Sequence, residues 1–232
     1  MDWSHIEALT FDCYGTLIDW ETGILEAVRP VIARYGTVPD DDALIALYAD
    51  CESAAERPPY KPYRTVLRWT MERMAHGLGF ELEEEDRDAL VESLGRWPAW
   101  PDTAEALRAL GGRWRLAVLS NVDRDLFELT RPLLGVGLDA VVTAEDVGGY
   151  KPGRGHFDRG LEVLALPPDR VLHVAQSVWH DVAPASALGF RTVHVVRRRS
   201  GRGFGASLPA SAAADVVVPD LATLARLAGC AG

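Results

Sequence analysis

Residues 6–17 read IEALTFDCYGTL, and this stretch decides the fold. An apolar run rises to Phe11, which is typical of a short buried strand, and the run ends on the acid Asp12. Because a turn containing Gly15 follows at once, we expect Asp12 at the carboxyl end of the strand, where open α/β sheets carry their reactive groups. Because burying an unpaired acid is costly, we expect that Asp12 either meets a cation or acts as a nucleophile. The alternative is a turn or helix-capping aspartate.

The composition is that of an acidic globular protein. The chain has 232 residues, of which 48% are hydrophobic and 25% are charged, and its formal net charge is −10. This balance argues against a nucleic-acid partner. The sequence shows no signal peptide and no apolar run of membrane-spanning length, so we expect no membrane association. Cys13, Cys51 and Cys230 form neither a disulfide framework nor a metal-ligand pattern, which favours a reducing cytoplasm.

Periodicity divides the chain into two parts. Between residues 19 and 97, apolar residues recur at helical spacing, and helices are predicted over 21–35, 40–51, 63–78 and 83–97. After residue 98, strands alternate with helices, which is typical of a parallel sheet covered on both faces. The strands are predicted over 115–120, 140–143, 171–175, 192–196 and 215–218. The helices are predicted over 104–110 (capped by Asp102), 123–134, 154–164, 182–188 and 221–227.

We therefore predict an α/β fold with two domains. A Rossmann-like parallel-sheet core comprises residues 1–18 and 98–232, and a helical cap comprises residues 19–97. Residues 197–211, which begin with a short arginine run, are expected to form a solvated loop.

Four polar clusters each follow a predicted strand. They are Asp12, the pair Ser120–Asn121, Lys151, and the segment 176–181. Because the carboxyl ends of parallel strands meet at one edge of a sheet, we expect all four to converge on one site. The alternative is that each is a separate cap or turn residue.

These segments resemble the motifs of the haloacid dehalogenase superfamily. The likeness rests on the stretch 11–17, on Ser120, on Gly149-Tyr150-Lys151-Pro152 and on the segment 175–181, and it is greatest for the type II 2-haloacid dehalogenase-like subgroup. It implies an active site at the seam between core and cap. It also implies that Asp12 is a nucleophile that forms a covalent intermediate, and that Lys151 keeps Asp12 ionised.

The resemblance also assigns roles in the other two clusters. Ser120 matches the residue that holds a substrate oxygen, and Asn121 beside it is expected to bind substrate. In the last cluster, counting back from Gly189 places Asp181 on the family acid, whereas counting forward from Ser177 lands on His180. His180 is therefore a rival to Asp181, as a general base for ester hydrolysis.

Tyr14 is the position that favours one reaction over another. Phosphatases of the superfamily carry an acid here that protonates a departing alkoxide, whereas halide leaves without a proton. Its 2-haloacid dehalogenases carry an aromatic residue. The prediction is a hydrolase in which Asp12 displaces halide from the α-carbon of a small 2-halo carboxylic acid, with no cofactor. The alternative is a Mg²⁺-dependent phosphatase, whose metal would bind Asp12, the Tyr14 backbone carbonyl and Asp181.

The substrate pocket departs from the dehalogenase pattern. The second cap helix has no arginine at residues 47–50, where such enzymes bind the substrate carboxylate, and Gln176 stands where phosphatases often carry a metal-supporting acid. Lys61 and Arg64 are predicted to bind the carboxylate instead, or else to be solvated charges at a helix end. Thr16, Trp20, Tyr14, Ser177 and His180 are the other residues expected to contact substrate.

The expected partner is a small anionic molecule, and a homodimer through the cap is expected from the resemblance. A catalytically silent scaffold is the remaining alternative. A buried cluster of Asp12, Lys151 and Asp181 argues against it, because a scaffold has no need for buried charge.

Overall fold

The apolar run around residue 9 forms the centre of a parallel sheet. The computed structural model describes residues 2–197 and 206–230, and within them six parallel strands pair in the order β3-β2-β1-β4-β5-β6. Their bounds are β1 Ala8–Phe11, β2 Arg115–Ser120, β3 Ala140–Thr143, β4 Val171–Ala175, β5 Arg191–Val195 and β6 Val216–Val218. The chain order reverses on either side of β1, so the carboxyl end of β1 lies at the switch point where such sheets bind ligands.

Helices cover both faces of the sheet. From residue 103 onwards, the described residues contain α5 Thr103–Gly111, α6 Arg124–Thr130, α7 Ala144–Val147, α8 Gly155–Leu164, α9 Ala183–Ala187 and α10 Leu221–Leu227. Successive residues of β1 point to opposite faces: Leu9 and Phe11 join the larger apolar core, and Ala8 joins a second core with Phe157. All four residues of β1 are fully buried, as the continuous apolar run predicts.

The segment between β1 and α5 is helical, and we call residues 20–96 the helical insertion. It contains α1 Trp20–Tyr35, α2 Asp41–Ala55, α3 Tyr63–Gly77 and α4 Ala89–Ser93, with 3₁₀ turns at Glu84–Asp86 and Leu94–Arg96. α1 packs closely on the end of the insertion: a Cβ on Gly23 would lie 2.2 Å from the Trp97 ring. The domain boundaries at residues 18/19 and 97/98 stay a prediction.

The prediction of one helix over 83–97 is wrong. The segment breaks into a 3₁₀ turn, α4 and a second 3₁₀ turn. The buried carboxylate of Asp86 accepts a hydrogen bond from the Tyr35 hydroxyl at 2.6 Å, and the Asp88 carboxylate pairs with Arg68. These contacts with α1 and α3 override the local helical periodicity.

Three other expectations need correction. The Asp102 carboxylate does not cap α5; it accepts hydrogen bonds from the Leu221 and Ala222 backbone N–H groups and from Arg197. The helix predicted over 123–134 becomes 3₁₀ over Arg131–Leu134, and a π-helical turn over Val178–Val182 precedes α9.

Part of the loop predicted over 197–211, residues 198–205, lies outside the described residues. No described helix combines the length and apolarity needed to cross a bilayer.

Asp123 joins the helical insertion to the sheet. It precedes α6 but makes no side-chain cap there. Its carboxylate accepts a hydrogen bond from the Tyr63 N–H at 2.6 Å and another from the Tyr60 hydroxyl at 2.7 Å. α3 has no capping side chain of its own, since Pro62 precedes it. Asp123 therefore caps a helix of the insertion from the core side.

We expect Asp123→Ala to lower the free energy of unfolding by about 1–2 kcal/mol, because it leaves a buried N–H at the start of α3 without an acceptor. Urea unfolding measures the change. The matched control is Asp125→Ala, which removes an exposed carboxylate that pairs with Arg64 and accepts from the Leu126 N–H, and it should cost less than about 0.5 kcal/mol. Equal losses in the two variants would contradict the capping role.

Candidate active site

Three buried charges meet where β1, β4 and the loop after β3 approach one another. The Lys151 ammonium lies 2.9 Å from Asp12 Oδ1, 2.6 Å from Asp181 Oδ1 and 2.9 Å from the Leu119 carbonyl oxygen. Lys151 is 1% exposed and Asp181 is fully buried. The ammonium thus has an acceptor for each of its three N–H groups and is shared between two carboxylates.

The turn after β1 fixes the Asp12 carboxylate. The Thr16 hydroxyl donates to Asp12 Oδ2 at 2.6 Å and accepts from the Gln176 N–H at 2.8 Å. Gly15 has a φ of +99°, and a Cβ there would lie 2.9 Å from the Trp20 indole nitrogen. A residue with a side chain would therefore strain the turn and press against Trp20. The sequence DCYGT is thus a rigid support for one carboxylate.

Burial and Lys151 act in opposite directions on the two acids. Burial raises the pKa of Asp12, and the Lys151 ammonium and the Thr16 hydroxyl only partly offset this effect. Burial also acts to raise the pKa of Asp181, but Lys151 and a hydrogen bond from His173 outweigh it, and the pKa falls well below its ordinary value. Asp12 is therefore the more basic carboxylate of the two, and Asp181 is the more firmly ionised one.

His173, which we did not predict, fixes Asp181. It lies on β4, with Nε2 3.0 Å from Asp181 Oδ1 and Nδ1 2.9 Å from the Thr10 hydroxyl. The signal in the sequence was a single histidine inside an apolar strand. Asp181 Oδ2 is buried and has no hydrogen-bond partner among the described residues. One oxygen of Asp181 is thus held and the other is free to act.

The pocket above these charges is small and lies between the sheet and the helical insertion. The cavity has a volume of about 30 Å³. Its lining from the core side is Asp12, Tyr14, Asn121, Val122, Lys151, Ser177, His180 and Asp181. Its lining from the insertion is Trp20, Glu52, Glu56 and Tyr63.

The insertion contributes two carboxyl groups that we did not predict. Glu52 accepts hydrogen bonds from the Tyr48 hydroxyl at 2.7 Å and from the Tyr63 hydroxyl. Glu56 Oε1 accepts from Asn121 at 3.1 Å, and Glu56 Oε2 lies 3.9 Å from His180 Nε2. Burial raises the pKa of Glu52 to about 7, and it raises that of Glu56 well above its ordinary value. The signal in the sequence was the spacing of residues 48, 52 and 56, which places them on one face of a helix.

The structure brings most of the predicted site residues to this pocket, but not all of them. Asp12, Tyr14, Trp20, Asn121, Lys151, Ser177, His180 and Asp181 line it. Thr16 lies behind Asp12 and holds it. Ser120 is also behind the lining: its hydroxyl is buried with no partner among the described residues, and its carbonyl oxygen lies 3.0 Å from His156 Nε2.

Lys61 and Arg64 need correction, because neither side chain lines the pocket. The Lys61 ammonium donates to the carbonyl oxygens of Ala55 and Arg57 at 2.6 and 2.7 Å. Arg64 is exposed and pairs with Asp125 at 2.6 Å. At the start of α3, Tyr63 lines the pocket instead of these cations.

The donors of the site suit an ammonium better than Mg²⁺. Lys151 occupies the position between Asp12 and Asp181 that the expected metal ligands would have to enclose. Mg²⁺ needs about six oxygen ligands in near-octahedral geometry. Within residues 2–197 and 206–230, no three His, Cys, Asp or Glu side chains gather closely enough to hold a metal ion.

Comparison with known proteins identifies the family. A family model for haloacid dehalogenase-like hydrolases matches residues 6–189. The chain belongs to the haloacid dehalogenase-like hydrolase family. It is therefore a hydrolase with the Rossmann-like fold of that family.

Individual relatives agree with this assignment. (S)-2-haloacid dehalogenase 4A of Burkholderia cepacia is 26% identical over 199 residues, which cover 83% of this chain and 84% of the relative. (S)-2-haloacid dehalogenase of Xanthobacter autotrophicus is 28% identical over 196 residues, covering 83% and 76%. The fold matches the solved L-2-haloacid dehalogenase of Xanthobacter autotrophicus with chloropropionic acid covalently bound, with a TM-score of 0.80 and 23% identity over 98% of this chain and 100% of that one.

We expect the raised pKa of Glu52 to make stability depend on pH. Folded Glu52 holds its proton up to about pH 7, whereas the unfolded side chain loses it near 4.5. The stabilisation is complete below the unfolded pKa and is lost as pH rises towards the folded one, by on the order of 3 kcal/mol. Urea unfolding of the wild type and of Glu52→Gln, at about pH 5 and about pH 8, measures this difference.

The Gln side chain keeps an acceptor for the two tyrosines, so Glu52→Gln isolates the titration. The exposed substitution Glu26→Gln is the charge-matched control, and it should behave like the wild type at both pH values. A gap between the wild type and Glu52→Gln that stays the same at both values would contradict the prediction.

Proposed function

We propose that this hydrolase cleaves the carbon–halogen bond at the α-carbon of a small 2-halo carboxylic acid or a close derivative of one, through an ester of Asp12. The observation that carries the proposal is the buried arrangement of Asp12, Lys151 and Asp181 at the mouth of β1. The relatives that this chain matches over most of their length are named as 2-haloacid dehalogenases, which supports the same chemistry.

In the first step, an Asp12 carboxylate oxygen attacks the α-carbon. The new carbon–oxygen bond forms as the carbon–halogen bond breaks, and halide leaves with the bonding electrons. Lys151 keeps Asp12 ionised before the attack, and Thr16 holds the carboxylate in place. Because halide leaves as an anion, no general acid is needed.

In the second step, water hydrolyses the ester. The water oxygen attacks the carboxyl carbon of Asp12 as one of its protons passes to a nearby base. The bond between this carbon and the ester oxygen then breaks, and the base returns the proton to the departing alkoxide, which leaves as the 2-hydroxy product. The Asp12 carboxyl group loses the remaining water proton to solvent and is restored as a carboxylate. We assign the base to Asp181, because its Oδ2 is free while its Oδ1 is held by Lys151 and His173. His180, whose ring lines the same pocket, is the alternative base.

Tyr14 supports halide as the leaving group over an alkoxide. Its hydroxyl lies 2.8 Å from Thr130 Oγ1, and burial raises its pKa well above the ordinary value. It is therefore a poor proton donor at the position where phosphatases of the superfamily need one. Together with the lysine between the two acids, this makes the Mg²⁺-dependent phosphatase the less favoured alternative.

We also infer that residues 19–97, which contain the helical insertion, form the cap over a core of residues 1–18 and 98–232. Residues of the insertion line the pocket opposite Asp12, which supports this division. A cytoplasmic location and a homodimer stay predictions.

We expect halide release from 2-chloropropionate or 2-chloropropionamide in the presence of chelator, with a loss of at least about a thousandfold in Asp12→Asn. A halide electrode or colorimetric assay measures the rate, for both enantiomers. The matched control Asp125→Asn removes an exposed carboxylate outside the pocket and should retain the wild-type rate. Phosphate-ester hydrolysis that needs Mg²⁺ would favour the phosphatase, and any turnover left unchanged in Asp12→Asn would contradict the nucleophile.

A further inference from the structure

We propose that the pocket selects an uncharged substrate, a small 2-halo carboxamide in preference to the 2-halo carboxylate, and that Glu56 sets this preference. The inference rests on the proposed dehalogenation and narrows its substrate class. It comes from the charges and hydrogen-bond donors of the pocket lining.

The pocket offers no free cation to a substrate carboxylate. Lys151 is the one Lys or Arg among the described lining residues, and its three N–H groups already bind Asp12, Asp181 and the Leu119 carbonyl. With both aspartates ionised, as the attack requires, this trio has a net charge of about −1. A second anion beside it is disfavoured.

Lys61 and Arg64, the cations predicted to bind a substrate carboxylate, bind other groups instead. Lys61 is bound to two backbone carbonyls, and Arg64 is paired with Asp125 on the exposed side of α3. Neither side chain lines the pocket, and Lys61 acts on the pKa of the pocket residue Glu56 only as a minor influence that opposes burial. In place of a cation, the insertion presents the carboxyl groups of Glu52 and Glu56 to the cavity.

Of these two acids, Glu56 is the one with an atom left for a ligand. Glu52 Oε1 accepts from both Tyr48 and Tyr63. Glu56 Oε1 accepts from Asn121, but Glu56 Oε2 lies 3.9 Å from His180 Nε2, beyond hydrogen-bond distance. Asp181 Oδ2, fully buried in the same lining, also lacks a partner. The pocket thus holds unsatisfied polar atoms that a polar but uncharged ligand can reach.

A carboxamide complements Glu56 in either protonation state. An ionised Glu56 accepts a hydrogen bond from the amide N–H₂ group, and a neutral Glu56 donates one to the amide carbonyl oxygen. A carboxylate has no donor for the ionised form, and with the neutral form it still adds a negative charge to the pocket. Burial raises the pKa of Glu56 and so favours its neutral form more than in an exposed glutamate.

Unreactive analogues test the preference separately from the chemistry. Calorimetric titration of the full-length wild type with propionamide and with propionate, near neutral pH, should give tighter binding of propionamide by at least about tenfold. In Glu56→Gln, whose amide can donate to propionate, this ratio should fall by about tenfold. Glu26→Gln, an exposed acid on α1, is the matched control and should keep the wild-type ratio.

Parallel halide release from 2-chloropropionamide and 2-chloropropionate separates failure of the inference from failure of the proposed function. Propionate binding as tightly as propionamide in the wild type, or binding of neither, overturns the inference. A ratio unchanged in folded Glu56→Gln overturns the role of Glu56. Selective propionamide binding without halide release from either compound upholds the preference while refuting the dehalogenation.

Discussion

The Lys151 ammonium between Asp12 and Asp181 is the interaction on which the site depends. Burying two carboxylates is costly unless a cation and further hydrogen bonds meet them. Thr16 and His173 supply these bonds from the first turn and from β4, and the Leu119 carbonyl supplies the third acceptor for the ammonium. Because the three charges come from three separate chain segments, they exist as a cluster only when the parallel sheet is complete.

The same edge of the sheet also holds the helical insertion in place. Asp123 caps α3, and Asn121 binds both Glu56 and the backbone of Lys151. One short segment after β2 therefore positions the lysine of the core and the acid of the insertion together. Asn121 and Asp123 thus connect the insertion residues that line the pocket with the core segment that positions Lys151.

The location of the candidate site was predictable from sequence because it follows from strand order. Asp12 and Asn121 come directly after β1 and β2, and Lys151 and Asp181 lie in the connections that follow β3 and β4. Parallel strands bring such positions to one edge. The contributions of α2 were not predictable in this way. Glu52 and Glu56 look like the solvated face of an amphipathic helix, and only packing against the sheet shows that they face inward.

The capping acids and the cations at helix ends show the same limit of prediction from sequence. Asp102 and Asp123 each precede a helix, so local rules predict that they cap it, yet both cap a helix that is distant in sequence. Lys61 and Arg64 stand at the start of a helix that does face the site, but the rotation of that helix directs them away from it. Rotation about a helix axis depends on tertiary packing, which local sequence patterns do not determine.

The small volume of the pocket has a consequence for turnover. The cavity of about 30 Å³ lies between the sheet and the helical insertion, so its size depends on how closely these two parts approach each other. The links between these two parts include Glu56 to Asn121, Tyr60 and Tyr63 to Asp123, and Arg64 to Asp125. Loosening these bonds would let the sheet and the insertion separate around the pocket, and while the bonds hold, the chemistry that we propose at Asp12 is shielded from bulk solvent.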